Sequence, residues 1–328
     1  MGISMTRRRV LQSAAVFTAL PGSLAFSQAG YPNRPIRMVV PYPPGGGTDV
    51  IARIVQPRLS EALGGTQVII DNRGGAGGAI GTEAVARSAP DGYTVLFTLS
   101  SHTINAALFP KLSFNTENDF SPVSLVASLP QILVAHPDYP AKSAQDIVSL
   151  AKSKPDSVMY ASVGNGTPGH LAGEMMALSA GVPMTHVPYR GGGPAITDVL
   201  AGQIGMLWVS IPAAAPYVKS GKLKAIAVST SKRAAAFPNV PTMMESGFAG
   251  FEVDSWYAMF APAKTPQPII ERLHKAVVFA CAQADVREKF LQQGAEAVGS
   301  LPSDLERVVK AEIPKWKKLV REANIKPD

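Results

Sequence analysis

The chain has 328 residues, of which 46% are hydrophobic and 17% charged, with 29 glycines and 28 prolines. That balance excludes a disordered or coiled-coil chain and indicates α/β architecture, as one large domain or two, with many structured loops. The formal charge is +7, but three of its arginines lie at Arg7–Arg9, and the remaining 28 basic against 24 acidic side chains include no run dense enough for nucleic acid.

Residues 1–29 read as an export signal. Arg7, Arg8 and Arg9 form a charged start, Ala14 to Leu20 an apolar stretch, and Ser27-Gln28-Ala29 the small residues before a cut. The paired arginines followed by Val10-Leu11 also resemble a twin-arginine signal. The apolar stretch falls far short of the roughly 20 residues needed to span a bilayer, so a soluble, exported bacterial protein is expected. Cys281 stands alone within an apolar helical run and reads as a buried small hydrophobe.

In the mature chain, Ile36 to Val40 is a buried strand. A loop of prolines and glycines follows, then a helix opened by Thr48 or Asp49 and running to Leu63. Glycines let backbone approach a ligand closely, and the first turn of a helix offers unpaired N–H groups and the positive end of its dipole. Gln67 to Ile70 is the next strand, Asp71 to Gly78 a second glycine-rich loop, and Ile80 to Ser88 a helix. Tyr93 to Leu99 is a third strand, ending in Ser100-Ser101-His102-Thr103 ahead of a helical start at Asn105. The β-α-β-α-β order predicts a parallel sheet, whose carboxyl rim is where open α/β sheets bind ligands.

Phe120 to Val126 and Ile132 to Ala135 read as two short apolar runs forming the passage to a second lobe. There the alternation repeats. Helices are expected at Ser143 to Ser153, Pro168 to Ala180 and Pro194 to Ala201, and strands at Val158 to Val163, Met184 to Val187, Ile204 to Val209 and Leu223 to Ser229. Phe251 to Phe260 is a returning strand, and amphipathic helices at Gln267 to Ala284 and Pro302 to Ala323 close the chain. Two α/β lobes joined by crossings, with a cleft between, describe a hinged ligand trap.

Gly164-x-Gly166-x-x-Gly169 lies between a strand and a helix, as in a dinucleotide fingerprint. The region some 20 residues on lacks the acid that would hold a ribose. Arg190 there would suit a 2′-phosphate, so an exported NADP-dependent oxidoreductase stands as the alternative, with Pro168 inside the motif and the export signal against it. Phosphate-loop, Gly-x-Ser-x-Gly and His-Glu-x-x-His motifs are missing from the sequence. His102 and His170 sit at loop ends, where they would hydrogen-bond a ligand or cap a helix. Trp208 would stack on a ligand or fill a core. The loops are nearly all neutral, and that composition suits a carboxylate or a neutral polar solute held by backbone N–H groups and hydroxyls.

Ordered motifs run through residues 30–325. Val40-Pro41-x-x-Pro44-Gly45-Gly46-x-x-Asp49, Asn72-Arg73-x-Gly75-Ala76-Gly77-Gly78 and Asp91-Gly92-Tyr93-Thr94 mark the first half. Gly164-x-Gly166-Thr167-Pro168-x-His170, Val187-Pro188-Tyr189-Arg190-Gly191 and Pro238-x-Val240-Pro241-Thr242 mark the second. Together they resemble the Bug-type extracytoplasmic solute receptors of tripartite tricarboxylate transporters. The resemblance implies an α/β, two-lobe periplasmic-binding-protein fold (type II-like), each lobe a mostly parallel sheet flanked by helices. It implies no catalysis, no cofactor and no metal, a small carboxylate as ligand, and membrane permease subunits as partners of a monomeric receptor. A receptor that signals to a sensor protein would read the same. The expected organisation is lobe I over 30–127, lobe II over 128–254 and a return to lobe I over 255–328.

Carried onto this chain, the family's binding loops imply contacts from Tyr42, Pro43, Gly46, Gly47 and Asp49 in the first loop. The third-strand loop contributes Ser100, Ser101, His102 and Asn105. The facing lobe contributes Gly164, Gly166, Thr167 and His170, then Tyr189, Arg190 and Gly191. Trp208 and Ser210 complete the expected set from the strand after Ala201-Gly202-Gln203. Relatives often carry an aspartate in or after that strand; Gly205 to Ser210 has none. The departure predicts an anionic ligand without an amine, with room for an aromatic one.

Overall fold

The structure is a computed structural model that describes residues 30–326 apart from 46, 110, 156, 190 and 191, with the side chain of residue 212 also outside it. The expected export signal lies outside the described residues. Residues 32–328 form one compact unit, and within it the two-lobe α/β fold is built on two sheets that share a strand.

The first sheet holds β1 (Ile36–Val40), β2 (Val68–Asn72) and β3 (Thr94–Leu99), paired in parallel with β1 in the middle. Helix α1 (Gly47–Ala62) and α2 (Ala79–Ala86) make the crossovers, and α3 (Ser101–Leu108) follows β3. Next comes β4 (Phe120–Ala135), a single strand of 16 residues. The two apolar runs expected here are therefore one element. Pro130 and the register shifts at Pro122/Ser124 and Leu125/Ala127 break its alternation, which is why it reads as two pieces.

The second sheet holds β5 (Met159–Ser162), β6 (Thr185–Pro188) and β7 (Met206–Ser210), with β5 parallel to both neighbours. The far half of β4 lies antiparallel to β7 and to β8 (Lys224–Val228). Helix α4 (Ala144–Ser153) starts in a capping box between Ser143 and Asp146. Helix α5 (Pro168–Ala180) has Thr167 as N-cap, Pro168 in its first turn and Gly181 at φ 62° past its end. Helices α6 (Gly192–Leu200) and α7 (Ile211–Lys219) complete this half. The chain returns through β9 (Asp254–Pro262), antiparallel to both β3 and β4. Helices α8 (Gln267–Ala282) and α9 (Ala284–Gln292), the two-residue β10 (Glu296–Ala297) and α10 (Pro302–Glu322) end it.

The sheets meet at a buried polar knot. Ser229 Oγ accepts from Gln131 N at 3.1 Å and donates to the Val253 carbonyl at 2.6 Å, while Gln131 Nε2 donates to Ser255 Oγ at 2.9 Å. Gln131, Ser229 and Ser255 are all buried. Each donor there needs its partner, because an unpaired buried polar group costs about 1–3 kcal/mol. Cys281 is buried as expected; its thiol donates to the Val126 carbonyl, and burial pushes its pKa up to about 12.

Helix α5 approaches β5 closely enough that a methyl on Gly173 would stand 2.0 Å from the Tyr160 ring. Gly193 in α6 faces open space. Gly173→Ala is expected to lower unfolding free energy by roughly 1–3 kcal/mol through overpacking. Gly193→Ala is expected to leave it unchanged or to raise it by up to about 1 kcal/mol. Urea titrations of the two variants check both signs.

Candidate ligand site

Helices α1, α3, α5 and α6 begin where strands β1, β3, β5 and β6 end, as α2 and α7 do after β2 and β7. Each start leaves N–H groups without a partner in its own helix and carries the positive end of the dipole. In the first lobe the scaffold around these starts is braced internally. The Asp49 carboxylate, 2% exposed, accepts from Gly45 N at 2.8 Å, Arg53 Nε at 2.9 Å and Asn72 Nδ2 at 3.0 Å. Burial opposes its ionisation, yet the bonds from Arg53, Gly45 and Asn72 hold the carboxyl below its usual range. Asn72 Nδ2 also donates to the Tyr42 carbonyl at 3.1 Å. Asp49 is thus the keystone of the loop, with its acceptor capacity spent on the protein itself.

The Tyr42 phenol stands beside the hydroxyls of Thr98 and Ser101, and burial pushes its pKa up to about 12. Pro43 lies against the second glycine loop, 3.2 Å from where a side chain on Gly74 would begin. Tyr257 of β9 reaches the same place: its hydroxyl is 2.7 Å from the position of a Cβ on Gly47. Sequence reading missed Tyr257, since it lies far along the chain in a strand with no loop signal. Its ring is stacked on Phe97 at 6.5 Å, and the hydroxyl closes the floor under the start of α1.

The lobes touch through α3. Ser101 Oγ donates to the Gly166 carbonyl at 3.4 Å, and a Cβ on Gly166 would meet Leu108 at 3.0 Å and Asn105 Oδ1 at 3.9 Å. Asn105 Nδ2 donates to the Gly77 carbonyl at 2.8 Å, tying the second glycine loop into the contact. Opposite, Thr167 Oγ1 donates to the Gly164 carbonyl at 2.6 Å, and Gly166 N donates to His170 Nδ1 at 3.2 Å. His170 stacks on His186 with ring centroids 3.9 Å apart, and the His186 ring meets Ser162 Oγ at 2.6 Å. His186 and Ser162, absent from the expected set, support this loop from beneath. Burial and the neighbouring His170 hold the His186 pKa down to about 3.

Other expected residues sit elsewhere. His102 is buried among Phe114, Phe120 and Phe260, away from the loops, and burial lowers its pKa to about 3. Trp208 is fully buried in the second lobe, stacked on Phe251 at 5.9 Å. The Tyr189 hydroxyl is spent on Asp198 at 2.7 Å. Ser100 is buried under the start of α3, and Ser210 is half-buried at the start of α7. Gly46, Arg190 and Gly191 lie outside the described residues. Among the described residues, no group of three or more His, Cys, Asp or Glu side chains is placed to hold a metal ion, and no helix is long and apolar enough to cross a membrane.

Comparison with known proteins decides what these loops belong to. Residues 51–325 match the model of the tripartite tricarboxylate transporter family receptor. The chain belongs to that family. Protein BugT of Bordetella pertussis, a Bug-type receptor relative, is 38% identical over 325 residues, 98% of this chain and 99% of its own. A protein of R. palustris solved with adipate is 34% identical, with a TM-score of 0.79 over 91% of this chain and 100% of its own. MatC from Rhodopseudomonas palustris, solved with bound malate, is 35% identical, with a TM-score of 0.77 over 88% and 100%. Receptors of this family therefore share the two-lobe architecture found here.

His102 carries a consequence for acid stability. Its pKa is about 3 when folded against 6.5 for the free side chain, so below 6.5 the unfolded chain takes a proton that the fold refuses. Its contribution to stability is full above 6.5 and falls as pH drops toward 3. His102→Phe, which suits the aromatic surroundings, is expected to flatten that part of the profile; thermal unfolding between pH 7 and pH 4 of both proteins checks it.

Proposed function

We propose that this protein is a periplasmic receptor that captures a small carboxylate between its lobes and delivers it to the permease of a tripartite tricarboxylate-type transporter. The observation that carries the reading is that the starts of α1, α3 and α5 lie together, joined through Tyr42, Ser101 and Gly166, with the acid of the first loop already committed. Unpaired N–H groups and hydroxyls attract an anion. Asp49 is bound to Gly45, Arg53 and Asn72, and Glu174 accepts from Tyr160 at 2.6 Å, so neither is left for an ammonium group. The family relationship supports the same reading, as do the adipate and malate held by related receptors.

The ligand class follows from the acid missing between Gly205 and Ser210: di- or tricarboxylates and aromatic acids are favoured over amino acids. The proposed lobes are 30–127 and 128–254, with 255–328 returning to the first, in a monomer exported behind a signal at 1–29. No catalysis and no cofactor are assigned. The oxidoreductase alternative rests on the Gly164 to Gly169 loop. In this fold Gly166 packs on α3, and a Cβ on Gly169 would stand 2.7 Å from the Trp208 carbonyl. Contact with protein on both sides gives that loop a reason for its glycines that needs no dinucleotide.

A thermal-shift screen of the mature protein against adipate, malate, benzoate, aspartate and NADP tests the reading. A ligand at about 100 times its Kd adds about 2.7 kcal/mol. The midpoint is expected to rise with a carboxylate and to stay put with aspartate and NADP; a rise with NADP alone would replace the receptor by the oxidoreductase. With the best carboxylate in hand, Arg190→Ala is expected to cost about 1.5–3 kcal/mol in calorimetry, the worth of one charge-assisted hydrogen bond. Unchanged affinity would put Arg190 outside the site.

A further inference from the structure

Helix α10 belongs to both lobes. Its first half places Leu305, Val309 and Ile313 in the core with Val39, Phe120 and Phe260. Its second half places Trp316 and Leu319 in the core with Tyr160, Met176 and Trp208. The change of allegiance falls between Ile313 and Trp316, at Pro314. A proline there gives no N–H to the carbonyl one turn back and removes one rung of the helix at the crossing. Lys315, just beyond, donates to the Glu252 carbonyl and lies over the Trp316 ring at 4.7 Å, which fixes the crossing point to the segment leading into β9.

Glu312 stands immediately before that proline. Its carboxylate accepts from Thr103 Oγ1 at 2.6 Å, whose single proton is shared with the Ser100 carbonyl at 2.9 Å, from Trp256 Nε1 at 3.0 Å and from Trp316 Nε1 at 3.4 Å. The donors come from α3, from β9 and from the second half of α10. A carboxylate, with acceptor sites on both oxygens, satisfies three such donors at once. On α3, Thr103 points away from Ser101 and Asn105, because residues two apart on a helix lie on nearly opposite faces. The face toward the second lobe's loop is thus held from behind by Glu312. Ile104 and Ala107 of the same helix pack with the second-lobe core around Trp208 and Trp316.

We propose that Glu312 is a positioning residue of the ligand site, a latch that joins α3 to the second half of α10 and so favours the closed arrangement of the lobes. The proposal rests on the receptor reading for its significance. Release of the latch frees α3 to turn, draws Ser101 and Asn105 back from Gly166, and leaves Pro314 as the point where α10 gives way.

The latch is tested on ligand-free mature protein by measuring the distance between spin labels at Lys152→Cys on α4 and Lys275→Cys on α8; native Cys281 is buried. Glu312→Ala and Thr103→Val are expected to move the distribution to longer distances, with a roughly tenfold fall in the ratio of closed to open molecules, the equivalent of one lost hydrogen bond to a charged group. Glu312→Gln keeps an oxygen for Trp256 but turns amide N–H groups toward Trp316 Nε1, so it breaks the tie to the second half of α10 and is expected to shift the distribution with the Ala variant. Thr103→Ser, which keeps the hydroxyl, is expected to retain the wild-type distribution. Distances unchanged in the Ala and Val variants overturn the latch, even where their melting midpoints fall, since a merely structural role moves the midpoint alone. Equal shifts in the conservative and disruptive variants also overturn it. If Glu312→Ala does not fold, Thr103→Val and Thr103→Ser carry the test between them. Because no ligand is added, a wild type that binds no carboxylate rejects the receptor reading separately.

Discussion

The backbone ladder of β4 is the constraint from which the rest of the molecule follows. Its first part is paired to β9 as far as Pro130 and Asp254; its last part is paired to β7 from Gln131 and Ser210 onward. One strand therefore leaves one sheet and enters the next without an intervening loop. Pro130 cannot donate to a ladder, so the handover falls where a hydrogen bond is missing anyway. The Gln131–Ser229–Ser255 knot supplies the polar partners that the changeover would otherwise leave bare. This stretch is one of the connections between the lobes, beside the Ser229–Val253 contact and helix α10.

The chemistry of the site follows from its neutrality. In the site proposed here, strand ends of Gly, Ser, Thr and Tyr would offer donors to a ligand while adding little fixed charge, and helix starts would provide the field. Among the described residues, three nearby acids are engaged within the protein: Asp49 by its loop, Glu174 by Tyr160, Asp198 by Tyr189. His170 and His186 follow the same rule, the first receiving an amide N–H and the second meeting a serine hydroxyl. Side chains that look reactive in isolation are here parts of the frame.

That distinction marks how far the sequence could be read. Elements with capping chemistry were legible: Ser143 and Asp146 announce α4, and Thr167, Pro168 and Gly181 delimit α5 to the residue. Helix α7 escaped notice because Pro212 and Pro216 suggest a loop, although Pro212 falls in its first turn, where its missing N–H costs nothing. Helix α9 was not read at all: the expected helix ends at Ala284, where α9 begins after the single extended residue Gln283. Composition marked the loops at the strand ends but could not say which side chains they present. His102 and Trp208 are consistent with either a rim or a core, and only the packed sheets decide between them. Tyr257 and Glu312 carried no local signal at all; their neighbours are brought to them by the fold.

The brace on the first loop has a further meaning for kinetics. Asp49 receives its hydrogen bonds from Gly45, Arg53 and Asn72, so these groups are braced by the protein itself. For the receptor proposed here, the entropy of ordering them is settled when the chain folds and does not recur at each encounter. Solutes of one chemical type would then meet a prepared surface at similar rates, and discrimination among them would lie in how long each one stays.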